Sequence, residues 1–164
     1  MTTPWLALLL RVLAALCAVP CGARAAEPDF QTQVWLNPGF YSYHFDRDKN
    51  LRENNTGLGV EVLLAPDHGL MGGTFMNSRD ERSYYAAYQW RPLHWRPADV
   101  QVSAGVAVAL IDGYPTYKDG GWFLSLLPVL SIEGRWIGIN FSIIPTLKDR
   151  VDGAIAVQVK LRVW

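Results

Sequence analysis

From Val100 to Leu110 the chain alternates without a break. Val100, Val102, Ala104, Val106, Val108 and Leu110 fall on one face, and Gln101, Ser103, Gly105, Ala107 and Ala109 fall on the other. A period of two sends successive side chains to opposite sides of an extended backbone, so the segment reads as a strand with two different surroundings. The pattern recurs over 135–144, where Ile137, Ile139, Phe141 and Ile143 alternate with Trp136, Gly138, Asn140 and Ser142. It recurs again at the end of the sequence, with Ile155, Val157, Val159, Leu161 and Val163 set against Ala156, Gln158, Lys160 and Arg162. Beyond the first residues no segment reaches the roughly 18 consecutive apolar residues of a membrane-spanning helix.

Less regular strands are expected at 34–45, 57–65, 69–78, 83–91 and 121–132, which brings the total to eight. Each has about the 9–11 residues that a tilted strand needs to cross a hydrocarbon layer. An even number of antiparallel strands closes into a barrel with both ends on one side. The connections alternate in kind. Segments 46–57, 77–83, 112–120 and 146–153 are charged, whereas 65–69, 91–99 and 133–135 are shorter or proline-rich. Longer polar loops on one rim and tighter turns on the other are the habit of an outer-membrane barrel. Trp35, Tyr84, Tyr88, Trp90, Trp95, Trp122 and Trp136 fall mostly near strand ends, where interfacial aromatic girdles belong. The fold expected is therefore all-β, an eight-stranded antiparallel transmembrane β-barrel in the bacterial outer membrane. A soluble lipocalin-like barrel is the alternative, but the Gly, Ala and Ser face of 100–110 makes a poor solvent surface. Trp164 supplies a terminal aromatic, although out of phase with the apolar face that ends at Val163.

The first 25 residues read as a cleaved signal peptide, leaving 26–164 as one barrel domain. Residues 5–21 are apolar apart from Arg11, and Ala23-Arg24-Ala25 has the small-residue pattern of a cleavage site. An N-terminal anchor is the other reading, but the uninterrupted apolar stretch is too short to span a bilayer. Cys17 and Cys21 both lie in this leader, so the mature chain is expected to carry no thiol and no disulfide. Without Arg11 and Arg24 the balance of charge is slightly acidic, which gives no reason to expect nucleic acid.

His44, His68 and His94 stand apart from one another, with no metal-ligand spacing, and no cofactor-binding motif is present. Two spots carry possible chemistry. His44, at the end of strand one, and Ser78, preceded by Asn77 at the end of strand three, share the charged rim. A histidine beside a serine is equipped to act as general base in acyl transfer. The bland alternative is a rim histidine bonded to a loop, with Ser78 as ordinary turn chemistry. Pro38, Pro128 and Pro145 fall inside expected strands, where each removes a ladder donor. They mark either weak lateral pairing or simply strand ends and bulges.

The segment PVLSIEGRWIGINFSIIPTLKDR, with Pro128 and Pro145 seventeen residues apart, resembles the lipid A palmitoyltransferases of Gram-negative outer membranes. The stretch 43–62 resembles that family's first strand, charged loop and second strand. The resemblance implies that the prolines flank a lateral opening for a lipid chain. It further implies that His44 and the Asn77-Ser78 pair are the catalytic positions, with Asn77 standing where the family has an aspartate. The family's N-terminal amphipathic helix is missing or reduced to 27–33. The partners implied are phospholipid and lipid A, with barrel-assembly machinery needed during insertion, and the barrel is expected to be a monomer. Small interior residues such as Gly105, Ala107, Ala109 and Gly138 leave a narrow hydrocarbon slot, or simply let a small barrel fill its own centre. The alternative function is a non-catalytic barrel with a structural or surface-interaction role.

Overall fold

The computed structural model describes residues 30–146 and 151–164. The expected signal peptide, both cysteines and residues 27–29 lie outside the described residues, and of the stretch 27–33 the described part, 30–33, is non-helical chain leading into β1. Eight strands run in order: β1 (Gln33–His44), β2 (Asn54–Ala65), β3 (His68–Met76), β4 (Arg82–Trp95), β5 (Gln101–Ile111), β6 (Phe123–Glu133), β7 (Ile137–Ile144) and β8 (Ala154–Arg162). Each pairs antiparallel with its sequence neighbour, and β1 pairs with β8, which closes the barrel. Among the described residues no helix is long and apolar enough to cross a membrane.

The alternation seen in the sequence decides which face goes where. Leu58, Leu64, Leu70, Leu124, Ile137 and Leu161 point outward and are exposed. Inward positions hold Asn55, Glu61, Gln89, Ser103, Asn140 and Lys160, all buried. Leaving a large apolar side chain in water forgoes about 1.5–3 kcal/mol, so a surface of this kind calls for an apolar solvent. Polar inside and apolar outside is the polarity of a membrane barrel. A lipocalin-like barrel needs the reverse, and that alternative fails here.

The charged connections all gather on one rim, after β1, β3, β5 and β7, and the tighter turns on the other. Tyr41, Tyr43, Tyr84 and Trp122 stand exposed toward the first rim, and Trp95 and Trp136 toward the second. Trp35 departs from expectation. It is buried inside the barrel, where its ring lies 4.9 Å from the Lys160 ammonium, rather than in a girdle.

The segment 91–99 was expected to be a turn, yet β4 continues to Trp95. The β4–β5 register shifts between Trp90 and Leu93, so Pro92 is absorbed in a bulge, where a missing N–H breaks no ladder bond.

The end of the barrel away from the charged loops is plugged by buried charges from alternate strands: Glu61 on β2, Arg91 on β4, Glu133 on β6 and Lys160 on β8. Lys160 Nζ lies 2.7 Å from Glu61 and 2.6 Å from Glu133, and Arg91 lies 2.9 Å from Glu133. Two acids and two bases cancel, which is the condition for holding such groups away from water.

Candidate active site

His44 is the last residue of β1, and its register partner on β8 is Ala154, whose small side chain leaves the imidazole room. The ring is almost fully buried, 3% exposed, and Nε2 lies 2.9 Å from the Ser78 hydroxyl. The two residues come from β1 and from the loop after β3, and β2 runs between those strands. Ser78 has the outward parity of β3, but the strand ends at Met76, and the loop turns its hydroxyl back over the mouth. A neutral imidazole that accepts the serine proton at Nε2 carries its own proton at Nδ1. Among the described residues Nδ1 is buried and meets no hydrogen-bond partner.

Asn77 stands next to the pair but faces elsewhere. Its side-chain nitrogen donates to Ser83 Oγ at 3.0 Å and to the Gly113 carbonyl at 2.7 Å. Its oxygen accepts the backbone N–H groups of Arg79, at 2.8 Å, and Glu81, at 3.2 Å. An amide both donates and accepts, and an ionised carboxylate cannot make the first two bonds. Asn77 therefore pins the β3–β4 loop.

Around the pair lies a web of charged loop residues that the sequence had not singled out. Asp152 bonds Lys49 and Arg79, each at 2.6 Å, and Arg52 bonds Asp80 at 2.8 Å. Glu53 bonds Arg47 and the Tyr41 hydroxyl; the hydroxyl bond first, and the guanidinium second, hold its carboxyl below the usual range. In the β5–β6 loop, burial pushes the Tyr114 phenol up to about 12, and its ring packs edge-on against Phe123.

The three prolines each mark a fault in the wall. Pro38 coincides with a register shift in the β1–β2 ladder, and β1–β8 pairing lapses from Leu36 to Tyr41. Pro128 belongs to β6, whose ladder with β5 has eleven residue pairs, whereas that with β7 has five and stops at Val129 and Ser142. Ser142 Oγ donates to the Pro128 carbonyl at 2.8 Å, so that carbonyl faces β7. In an antiparallel strand a residue's N–H points the same way as its C=O, so the missing donor of Pro128 faces β7 as well. Pro145 follows directly on the end of β7. Toward the charged rim, the β6–β7 seam therefore has no ladder.

At Gly105 of β5 a Cβ would run into the backbone of Trp90 and Arg91 on β4, which fills its space, while inside the barrel Ala107 and Ala109 point inward as expected. Gly138 does too, but it leaves no slot. A Cβ there would meet the Lys160 stem at 2.9 Å and the Trp35 ring at 3.2 Å, so the plug already fills its space.

A buried His–Ser pair beneath charged loops, on a barrel with a faulted seam, can be weighed against known proteins. No family model matches the chain. It is 32% identical over 121 residues to the lipid A acyltransferase PagP of Laribacter hongkongensis, a match covering 68% of this chain and 54% of the relative. This chain resembles the lipid A acyltransferases as a divergent sequence. It spans about half the length of the curated relative it matches, and the barrel accounts for nearly all its described residues.

Proposed function

We propose that this chain is an outer-membrane acyltransferase that moves a fatty acyl chain from a phospholipid to lipid A at the charged-loop rim. The observation that carries the reading is the 2.9 Å contact between His44 Nε2 and Ser78 Oγ at the mouth of the barrel. The apolar outer belt supports a bilayer address. The unpaired β6–β7 seam supports entry of a lipid chain from the side, with Pro38 marking a second fault in the wall. Barrel closure by a single chain supports a monomer.

In this reading His44 is the general base and Ser78 the nucleophile. Ser78 Oγ forms a bond to the acyl carbonyl carbon, and the phospholipid ester C–O bond breaks. The serine proton passes to Nε2 and on to the departing alkoxide of the lysophospholipid. A lipid A hydroxyl then gives its proton to Nε2, attacks the acyl-serine, and returns Ser78 with its proton. Asn77 takes no part in proton movement and holds the loop that presents Ser78.

A second reading, a non-catalytic surface barrel, draws on the commitment of Asn77 to the loop, which leaves His44 without a carboxylate from that position. Mass spectrometry of lipid A from cells expressing the wild type, His44→Ala and Ser78→Ala separates the two. Added acyl mass with wild type alone supports transfer. No added mass from a folded, heat-modifiable barrel moves the assignment to the second reading.

A further inference from the structure

His44 ends β1 and Ser78 lies in the loop that follows β3, two strands that share no ladder, so the hydrogen bond between them depends on how the loops around them are held. The link runs through the β7–β8 connection. One carboxylate, that of Asp152, takes Lys49 Nζ on Oδ1 at 2.6 Å and Arg79 Nη2 on Oδ2 at 2.6 Å. Arg79 follows Ser78 directly, and Lys49 closes the short 3-10 turn Arg47–Lys49 of the loop that leaves His44. The neighbouring Gly153 carbonyl accepts the N–H of Phe45, the residue after His44, at 2.9 Å. Gly153 has no room for a side chain: a Cβ would lie 2.1 Å from Thr146 Oγ1 and 2.9 Å from the Phe45 ring. That close approach is what brings the carboxylate between the two loops. Asp152 is also the inner member of the group, 13% exposed, against 45% for Lys49 and 33% for Arg79.

We infer that Asp152 is a positioning residue for the His44–Ser78 pair, its single carboxylate holding the loop after His44 and the loop after Ser78 in one arrangement. The consequence for catalysis rests on the acyl-transfer reading above; the placement itself does not. Burial alone would raise the Asp152 carboxyl, but the bonds and charges of Lys49 and Arg79 outweigh it and keep it below the usual range. The clasp is therefore ionised at neutral pH. Exposed ion pairs taken singly contribute little. What matters here is that the two cations share one acid, so losing it removes a tie from both loops at once. Displacing a reacting group by about 1 Å can cost on the order of a hundredfold in rate.

The test uses the full chain folded in vesicles of phospholipid and lipid A, as wild type, Asp152→Asn, Asp152→Glu and, as control, Asp67→Asn on the opposite rim. Heat-modifiable gel mobility confirms that each variant is folded. Hydrogen exchange is read at the Phe45 amide, which bonds Gly153, and at the Arg52 amide, which bonds the Ser78 carbonyl. Asp152→Asn is expected to speed both about tenfold or more, with Asp152→Glu close to wild type. In the transfer assay Asp152→Asn is expected to lower kcat about tenfold to a hundredfold with KM within about twofold, and Asp152→Glu to recover most of the loss. Wild-type exchange at both amides in Asp152→Asn overturns the placement. Loosened loops with an undiminished kcat overturn the positioning role. A wild type that transfers no acyl group, while Asp152→Asn still loosens both loops, upholds the placement and removes the acyl-transfer reading instead.

Discussion

Glu61 on β2 and Lys160 on β8 are 99 positions apart in sequence and meet at 2.7 Å on either side of β1, both fully buried. The contact joins the first strands of the barrel to the last, and with Arg91 and Glu133 it plugs one end. Removing one partner strands a buried charge, a loss of about 3–5 kcal/mol. Lys160→Met is therefore expected to lower the unfolding midpoint in denaturant sharply. Adding Glu61→Gln to it should recover part of the loss, since one fewer acid is then unpaired. A single variant that unfolds like wild type would show that the quartet does not hold the barrel.

Asn77 offers a sharper test, because restoring an acid there looks like a repair. The structure points the other way. Asn77→Asp loses the donors to Ser83 and Gly113 and sets a carboxylate against a buried carbonyl, at about 1–3 kcal/mol. Lower thermal stability with no gain in lipid A acylation is the expected result. A variant both more active and equally stable would return position 77 to the proton pathway.

Pro128 governs how far the β6–β7 seam can zip. Pro128→Ala restores an N–H that faces β7, where the ladder now stops one residue short. Slower amide exchange along the upper part of both strands is expected, together with slower phospholipid entry read as a reduced rate of acyl transfer. An unchanged rate on a demonstrably longer ladder would place lipid entry elsewhere, with the β1 fault at Pro38 next to be tested.

The pH dependence of the loop clasp follows from Asp152. An unperturbed aspartate titrates near 3.9, and here the folded-state value is lower because Lys49 and Arg79 outweigh the effect of burial. A depressed carboxyl contributes fully above the unfolded value, and the contribution is lost as pH falls through the folded one. Exchange at the Phe45 amide, corrected for its intrinsic pH dependence, should stay constant from about pH 8 to 5 and rise only below about pH 4. Loosening that sets in near pH 6 would point to a different group.

Strand number, barrel class and facing were legible in the sequence because a period of two is a local property. Each strand of the type Val102–Leu110 states its own two environments, and eight of them with charged and tight connections in turn leave few ways to close. The positions of His44 and Ser78 on one rim follow from the same counting. Trp35 sits inside rather than in a girdle because an aromatic near a strand end suits either face, and the Lys160 ammonium that meets its ring comes from β8, far along the chain. Segment 91–99 reads as a turn from its prolines, because the bulge that absorbs Pro92 depends on the partner strand.

What the tertiary structure alone decided is everything that depends on closure. Lys49 and Arg79 reach Asp152 across 103 and 73 positions, and no periodicity relates them. The charge plug likewise takes one residue from each alternate strand, a match that exists only once β1 meets β8. Local pattern fixes which side of a strand faces inward. Which inward residues meet is set by register around the ring, and there a shift of one residue exchanges the two faces.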